Sequence, residues 1–154
     1  MIQTNLVLVF DTSGENILLC MKKRGFGVGK YNGAGGKVQG NESIAEAAKR
    51  ELEEETGINI PLQSLVKKGY FHFFFENKPE WNQNVTLYTV SGYNGEIQET
   101  EEMKPEWFSI NDIPFDKMWE DDKYWMPRII AGEEVEYEFT FDENGKIISH
   151  TLIK

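Results

Sequence analysis

Short apolar runs separated by turn residues occupy most of the chain, a pattern that predicts many β-strands. The runs are rich in β-branched and aromatic residues, and strands are expected at residues 5–10, 17–21, 67–76, 85–93, 106–110, 136–141 and 146–153. Ser13-Gly14 is expected to join the first two strands, and Asn144-Gly145 predicts a type I′ turn between the last two. The chain is therefore expected to be built around a β-sheet.

Two segments depart from this pattern and predict helices. In the first, Ser43 and Glu46 form a capping box, and Gly57 is a left-handed stop at the other end. The second is expected at residues 122–131, where Pro127 is tolerated in the first turns. Strands before and after two helices indicate an α+β fold, in which a mixed β-sheet is sandwiched between helices (α/β/α).

Composition narrows the class of protein. The net charge is −10 with no basic block, which excludes a coat for nucleic-acid polymers or for an anionic membrane. The length fits one domain, residues 1–154. Cys20 is the only cysteine and is interpreted as a buried, inert thiol in a reducing compartment. The amino-terminal apolar run is too short for a signal peptide or a membrane span, so the expected location is the cytoplasm.

The first predicted helix carries a cluster of carboxylates near its end. Glu51, Glu54 and Glu55 lie three or four residues apart and share one helix face. An arbitrary cluster of this kind is a solvated surface, but beside a glycine-rich turn it suits Mg²⁺ or Mn²⁺, which take oxygen ligands. Such a cation also reconciles an acidic protein with a polyphosphate substrate. The carbonyl of Gly35 completes the expected ligand set, and Arg50 is expected to orient a carboxylate by a bidentate pair.

The glycine-rich segment 24–36 precedes this helix and is expected to be a loop whose backbone approaches a ligand closely. The segment that follows fits the Nudix signature G-x5-E-x7-R-E-U-x-E-E-x-G-U, where U is apolar. Its fixed positions are filled by Gly36, Glu42, Arg50, Glu51, Leu52, Glu54, Glu55, Gly57 and Ile58. The chain thus resembles the Nudix hydrolases, which implies metal-assisted cleavage of a phosphoanhydride.

Two residues are candidates for accepting the proton of the attacking water. Glu55 lies in the helix, and Glu102 lies in the acidic run 99–102 outside it. Composition alone favours a solvated turn for this run.

An aromatic and acidic segment, residues 115–125, leads into the second helix. Trp119 offers a stacking surface for a base, and Asp121 and Asp122 offer acceptors for the donors on the edge of guanine. In the alternative interpretation these aspartates mark a helix N-terminus and interact with its dipole, while Trp125 lies in the core. The residues alone favour neither interpretation over the other.

Three stretches resemble one branch of the Nudix superfamily, the MutT-homologue family of oxidised-purine nucleoside triphosphate hydrolases. They are residues 21–40, 102–108 and 113–125, and the similarity extends over nearly the full chain. The resemblance implies Mg²⁺-dependent hydrolysis of 8-oxo-dGTP to the monophosphate and pyrophosphate, with 2-hydroxy-dATP as a related substrate. It also implies that the adjacent aspartates exchange protonation, so that one pocket accepts differently oxidised purines.

The same resemblance assigns roles to single residues. By this resemblance, Asn32, Asp121 and Asp122 would contact the edge of the base. The wall of the base pocket would be formed by Trp119, Phe73, Phe26 and Met103. Lys22 would face the sugar or the phosphates, and Glu102 gains a metal-binding or catalytic role. The catalytic set is then Arg50, Glu54, Glu55 and Glu102, and the metal ligands are Gly35, Glu51, Glu54, Glu55 and Glu102.

Three departures from the family pattern lie near the predicted pocket: Glu120 for a proline, Asn5 for a threonine and Ala34 for a bulky aromatic residue. None removes a predicted metal ligand, so base preference is left more open than catalysis. One alternative is a Nudix hydrolase of ADP-ribose, a dinucleoside polyphosphate or the 5′-triphosphate end of RNA. Another is a non-catalytic nucleotide-binding module. The leading prediction is a monomeric enzyme acting on a small nucleotide, with no nucleic-acid polymer or membrane as partner.

Overall fold

The computed structural model describes all 154 residues, and eight strands form one sheet. The strands are β1 (Ile2–Asp11), β2 (Asn16–Lys22), β3 (Tyr31–Asn32), β4 (Val66–Phe75), β5 (Gln83–Tyr93), β6 (Met103–Ser109), β7 (Val135–Phe141) and β8 (Ile147–Leu152). The helices are α1 (Ile44–Thr56) and α2 (Asp122–Ile130), and 3₁₀ turns cover Leu62–Ser64, Pro79–Trp81 and Phe115–Lys117. Every predicted strand and helix is present, and the short β3 is the addition. None of the helices has the length and apolarity needed to cross a membrane.

The sheet is mixed, as predicted. Its strand order is β3-β2-β1-β5-β4-β7-β8, and β6 also pairs with β2. β1 runs parallel to β5 and β4 runs parallel to β7, while the other neighbours are antiparallel. β1 pairs with β2 only at Val9 and Phe10, and further along it forms bridges to Ala34 of the glycine-rich segment and to Lys37, the residue that follows the segment. The sheet thereby holds this segment in place.

The two helices pack on opposite faces of the sheet, which confirms the α/β/α arrangement. Neighbouring residues of β1 contribute to different faces of the sheet. Leu8 belongs to the same buried cluster as Trp125 of α2, and Val7 belongs to the same buried cluster as Leu52 of α1. All four side chains are almost completely buried. A shift of β1 by one residue would turn each side chain toward the wrong helix, so this alternation fixes the register.

α1 begins and ends where predicted. The hydroxyl oxygen of Ser43 accepts the N–H of Glu46 at 3.1 Å, and the Glu46 carboxylate accepts the N–H of Ser43 at 2.8 Å. Gly57 follows the helix with a φ of 77°. The face turned to the sheet is formed by Ala47, Ala48, Leu52 and Thr56. The glutamates therefore occupy the remaining surface of the helix.

The last hairpin is present, but the predicted type I′ turn is wrong. A type I′ turn needs positive φ at both central residues, and only Gly145 of the Asn144-Gly145 pair has it, at 77°. The Asp142 carboxylate accepts the N–H of Asn144 at 2.8 Å and that of Lys146 at 2.9 Å. With these bonds Asn144 keeps a negative φ, and only the glycine takes the left-handed conformation, while the register of the hairpin shifts between Thr140 and Phe141.

Candidate active site

A cavity of about 350 Å³ opens between the sheet, the glycine-rich segment and the residues before α2. All eight residues predicted to contact a substrate line it, namely Lys22, Phe26, Asn32, Phe73, Met103, Trp119, Asp121 and Asp122. Gly35, a predicted metal ligand, lines it too. Residues far apart in the chain thus meet in one place, and the volume lies in the range of small-molecule sites.

Strand residues with no sequence motif of their own form much of the cavity wall. They are Thr4, Leu6, Phe75, Gln83, Val85 and Phe141. The only sequence pattern that marks them is the alternation of side chains along a strand. By this alternation Leu6 lies on the same sheet face as Leu8, and Phe75 on the same face as Phe73. Alternation alone does not distinguish a position beneath α2 from one beyond its edge, where the same face opens into the cavity.

The aspartate pair lies buried at the start of α2. Asp121 is 4% exposed and Asp122 is 2% exposed. The Asp121 carboxylate accepts the indole N–H of Trp125 at 2.8 Å, whereas Oδ2 of Asp122 has no hydrogen-bond partner. Asp121 occupies the cap position, yet its side chain makes no capping hydrogen bond. The pair thus marks the N-terminus of α2, as the alternative interpretation expected, although without a side-chain capping bond, and Trp125 lies in the core as expected.

Burial controls the ionisation of the two carboxyl groups. It raises the pKa of Asp121 to about 6, and the N–H of Trp125 opposes this rise. Burial, followed by the neighbouring charge of Asp121, raises the pKa of Asp122 well above its usual value. Two carboxyl groups this close in a desolvated site resist double ionisation, so the pair favours a state in which it keeps one proton between them.

Trp119 is closely surrounded at the cavity. The centroid of the Phe26 ring lies 5.3 Å from that of Trp119, and the Lys30 ammonium lies 5.0 Å from the Trp119 ring. The backbone approaches on two further sides, because a Cβ at Gly27 or Gly145 would lie 3.2 or 3.0 Å from the indole. These contacts fix a flat aromatic surface at the site, as base stacking requires.

Two of the departures from the family pattern have a visible structural role. The Glu120 carboxylate accepts the N–H of Ile147 at 2.9 Å and pairs with Lys146 at 3.3 Å, so it ties the residues before α2 to the last hairpin. Asn5 donates from Nδ2 to the carbonyl of Gly36 at 3.0 Å, while its buried Oδ1 has no partner. Asn5 therefore links β1 to the glycine-rich segment by its side chain as well as its backbone.

The glycine-rich segment packs against β1 and α1. A Cβ at Gly35 would overlap the carbonyl oxygen of Asn5, and one at Gly36 would lie 2.7 Å from the carboxylate of Glu51. The N–H of Gly35 donates to Oε2 of Glu55 at 3.1 Å, while its carbonyl accepts no hydrogen bond. The backbone of this segment therefore approaches β1 and α1 closely, where a close approach to a ligand was predicted. The carbonyl of Gly35 is left available as a metal ligand.

The helix carboxylates differ in exposure and in ionisation. The side chain of Glu51 is 15% exposed and that of Glu54 is 58% exposed. Burial raises the pKa of Glu55 to about 8, the N–H of Gly35 opposes this rise, and the charge of Glu51 adds to it. A cation beside Glu51 and Glu55 would relieve this crowding of like charges.

Arg50 joins the carboxylates to one another. Its guanidinium forms a bidentate pair with Glu42, at 2.6 and 3.1 Å. It donates single bonds to Glu51 at 2.9 Å, to Glu54 at 3.2 Å and to the carbonyl of Lys37 at 3.2 Å. The expected bidentate pair is present, and its partner is Glu42. Arg50 thereby fixes the helix glutamates relative to the glycine-rich segment.

Glu102 lies outside this network. Its side chain is 65% exposed and pairs with Arg24 at 3.2 Å, and its backbone carbonyl accepts the N–H of Lys23 at 2.8 Å. Lys23 also pairs with Glu99. The acidic run is thus engaged by basic residues at the end of β2, and a metal-binding or catalytic role of Glu102 stays a prediction.

The residues on this side of the cavity fit a divalent cation. The carboxylates of Glu51 and Glu55 and the free carbonyl of Gly35 are all oxygen donors, the kind that Mg²⁺ and Mn²⁺ prefer. No three His, Cys, Asp or Glu side chains are already arranged as a metal cluster. Arg50 holds Glu51 and Glu54 in the present arrangement, so a cation would share these carboxylates with it.

Cys20 lines the cavity but is only 2% exposed. Burial raises the pKa of its thiol to about 12, and the charge of Glu55 adds to the effect. The thiol stays protonated and is a poor nucleophile, which agrees with the predicted inert role.

Comparison with known proteins identifies the family. A family model for the NUDIX domain matches residues 3–129. The chain is 42% identical over 147 residues to the oxidized purine nucleoside triphosphate hydrolase of Mus musculus, covering 96% of this chain and 91% of the mouse protein. The protein of the same name from Danio rerio is also 42% identical, over 96% of this chain and 92% of its own length.

A solved structure supports the same assignment. The mutator MutT protein from Bacillus halodurans is similar with a TM-score of 0.84 and 25% identity, covering 99% of this chain and 98% of that protein. Its fold agrees with the mixed sheet and flanking helices seen here. The chain belongs to the Nudix hydrolase family.

Proposed function

We propose that this chain hydrolyses oxidised purine nucleoside triphosphates, such as 8-oxo-dGTP and 2-hydroxy-dATP, to the monophosphate and pyrophosphate, and so removes them from the nucleotide pool. The proposal rests on one observation: a base-sized aromatic cavity contains the buried pair Asp121 and Asp122 and lies beside the carboxylates of α1. The mouse and zebrafish relatives, whose names state this activity, support the same substrate class.

The aspartate pair is proposed to choose the base. Guanine offers donors at N1 and at its 2-amino group, which a carboxylate accepts, and the acid form of the second aspartate can donate to a base acceptor. Transfer of the proton between Asp121 and Asp122 would present the complementary pattern to an oxidised adenine. Stacking on Trp119 contributes about 1–3 kcal/mol to any base and does not discriminate. Discrimination therefore falls to the two carboxyl groups, with Asn32 as a further contact.

The triphosphate is proposed to extend from the cavity toward α1. Lys22, Lys30 and Lys37 line the cavity and bring positive charge into an acidic protein. Nudix hydrolases generally need a divalent cation, here proposed to be Mg²⁺, which when bound would neutralise phosphate charge and lower the pKa of the attacking water. The proposed ligands are Gly35, Glu51, Glu54 and Glu55, with Glu102 as a further candidate. Arg50 orients the helix carboxylates, and Glu55 and Glu102 are the candidates that accept the proton.

Two alternatives have less support. The cavity of about 350 Å³ suits one base better than the two of a dinucleoside polyphosphate. A binding module without catalysis would not need the complete signature, which is intact here. We also propose that the enzyme acts as a monomer in the cytoplasm, with residues 1–154 as one catalytic domain, and the single continuous sheet is consistent with one domain.

The test is a substrate panel. Purified protein with Mg²⁺ is offered 8-oxo-dGTP, 2-hydroxy-dATP, dGTP, ADP-ribose and a 5′-triphosphorylated RNA, and pyrophosphate and phosphate are measured separately. We expect pyrophosphate from the oxidised purines, with a kcat/KM at least about tenfold above that for dGTP, since hydrogen bonds in the pocket set the difference. Preference for ADP-ribose or RNA would contradict the proposal, and no turnover of any compound would favour the binding module.

Matched variants assign the residues. Glu54→Gln and Glu55→Gln should lower kcat roughly 100-fold or more with the fold retained, because each removes a proposed metal ligand. Glu53→Gln is the control, since Glu53 is an exposed glutamate of the same helix outside the signature. Asp121→Asn and Asp122→Asn should alter the ranking of bases more than the Mg²⁺ requirement. If neither alters the ranking, the assignment of the base pocket is wrong.

A further inference from the structure

Three aromatic rings from separate parts of the chain meet at the cavity. The centroid of the Phe26 ring lies 5.1 Å from that of Trp81 and 5.3 Å from that of Trp119. Phe26 is 61% exposed and Trp81 is 40% exposed. Phe26 and Trp119 line the cavity, whereas Trp81 stands behind Phe26 and does not line it. Large apolar surfaces left open to water commonly mark a binding site, and this one adjoins the proposed base pocket.

Trp81 sits on a well-braced turn. It ends the 3₁₀ turn Pro79–Trp81, and its N–H donates to the carbonyl of Lys78 at 2.8 Å. The side-chain oxygen of the next residue, Asn82, accepts the N–H of Phe75 at 2.8 Å. The Phe75 ring also packs against Trp81, with centroids 6.0 Å apart. The indole is thus fixed to the end of β4.

The backbone of Phe26 itself makes no hydrogen bond, although its loop contains several. It lies in the hairpin loop between β2 and β3, next to Gly25 and Gly27, and neither its N–H nor its carbonyl makes a hydrogen bond. Both neighbouring glycines have φ near +85°. Bonds from Val28 to Gly25 and from Lys30 to Gly27 hold the backbone on either side, so the two indoles act on the Phe26 side chain and not on the whole loop.

We propose that Trp81 is a positioning residue for the nucleotide base and acts through Phe26, which it holds over the mouth of the cavity. The inference rests on the proposed function, since the base is that of an oxidised purine triphosphate. A base inserted between Phe26 and Trp119 would need roughly 7 Å between the rings, two contacts of about 3.5 Å each, and they are closer than that. The base therefore lies on the cavity side of this pair, where Phe26 covers it and slows its release.

The size of the effect follows from the contact. Loss of one aromatic pair is expected to weaken retention of the base about 3- to 10-fold. Because the cover acts on bound substrate and on the transition state alike, the change falls on KM more than on kcat. A residue needed only for folding would not produce this division.

The test compares Trp81→Ala with two partners. Trp81→Phe retains a ring against Phe26, and Lys78→Ala is the control. The Lys78 ammonium lies 5.4 Å from the Trp81 ring, but Lys78 does not line the cavity. Thermal unfolding and far-UV circular dichroism establish that each variant is folded.

The first measurement is limited trypsin digestion of the ligand-free proteins, because Lys23, Arg24 and Lys30 place cleavage sites at or near the loop. Trp81→Ala is expected to speed cleavage there by about fivefold or more, since the loop loses its side-chain contact with Trp81 and keeps only its own turn bonds. Trp81→Phe and Lys78→Ala should change the rate by less than about twofold. An unchanged rate in Trp81→Ala would overturn the claim that Trp81 holds the loop.

The second measurement is the Kd of the product 8-oxo-dGMP by calorimetry, together with KM and kcat for 8-oxo-dGTP. In Trp81→Ala both Kd and KM should rise about 3- to 10-fold with a smaller change in kcat, and Trp81→Phe should restore most of the difference.

Faster loop cleavage with unchanged Kd and KM would overturn the role in base binding, as would a fall in kcat alone. If the wild type binds no 8-oxo-dGMP, the proposed function itself fails. If the wild type binds it and Trp81→Ala binds it equally well, only this inference fails.

Discussion

Asp121 and Asp122 place two carboxyl groups where water is nearly excluded, and one side-chain N–H, that of Trp125, is directed at them. Their ionised forms are less favourable in the folded protein than in the unfolded chain, so the pair opposes folding at neutral pH. Residues kept for binding often carry a cost of this kind, and their replacement can stabilise a protein while harming its activity. The pair therefore allows stability and recognition to be separated by experiment.

Asp122→Asn is expected to raise the free energy of unfolding at pH 8 by about 1–3 kcal/mol. The folded pKa of each aspartate lies above its ordinary value of 3.8, so the folded state holds more protons and the wild type loses stability as pH rises from about 4 through about 6 and beyond. The asparagine removes one titration and offers its own N–H to Asp121. Urea unfolding between pH 4 and pH 8 measures the difference, which should vanish near pH 4. Asp116→Asn, at an exposed site, is the control, and a less stable Asp122→Asn at pH 8 would contradict the prediction.

At the scale of elements, α1 and the glycine-rich segment form one unit. Arg50 bonds to the carbonyl of Lys37, and Glu55 accepts the N–H of Gly35. The limits of α1 could be predicted because its caps, Ser43 and Gly57, act on adjacent residues. The packing of the glycine-rich segment could not, since it depends on contacts with β1 that only the folded sheet creates. The last turn is mispredicted for a local reason: the Asp142 carboxylate, two residues before Asn144, overrides a preference taken from Asn144 and Gly145 alone.

Gly35→Ala should destabilise the fold by about 3 kcal/mol or more, because the added Cβ would overlap the Asn5 carbonyl and push the segment from β1. Gly14→Ala is the comparison: that glycine has a φ of +74° with open space around it, so only about 1 kcal/mol of backbone strain is expected. Urea unfolding at pH 7 gives both values. Equal losses in the two variants would show that close packing of Gly35 is not important.

At the scale of the whole molecule, the chain has a net charge of −10, yet lysines line its cavity. The fold class and the opposite placement of the helices could be predicted from the signature and the strand pattern. The pairing of β1 with β5 and of β4 with β7 could not, because single-strand patterns carry no information about neighbours. The cavity wall escaped prediction for a related reason: Leu6 and Phe75 resemble core residues until the edge of α2 is known.

Mg²⁺ should stabilise the protein beyond the general effect of salt. At about 10 mM MgCl₂ the thermal midpoint should exceed that in NaCl of equal ionic strength by about 3 °C, because the cation binds only the folded arrangement of Glu51 and Glu55. Differential scanning fluorimetry is sufficient for the measurement. The excess should disappear in Glu51→Gln combined with Glu55→Gln and persist in Glu53→Gln. An equal shift with both salts would contradict a specific site.

The placement of Cys20 has a consequence for the conditions under which the protein works. Its thiol is shielded from solvent and stays protonated at any physiological pH, so peroxides and alkylating agents find no thiolate to attack. With no second cysteine, the chain also cannot form an internal disulfide. The Cys20 thiol is therefore expected to resist oxidation under oxidative stress, the condition in which damaged nucleotides accumulate.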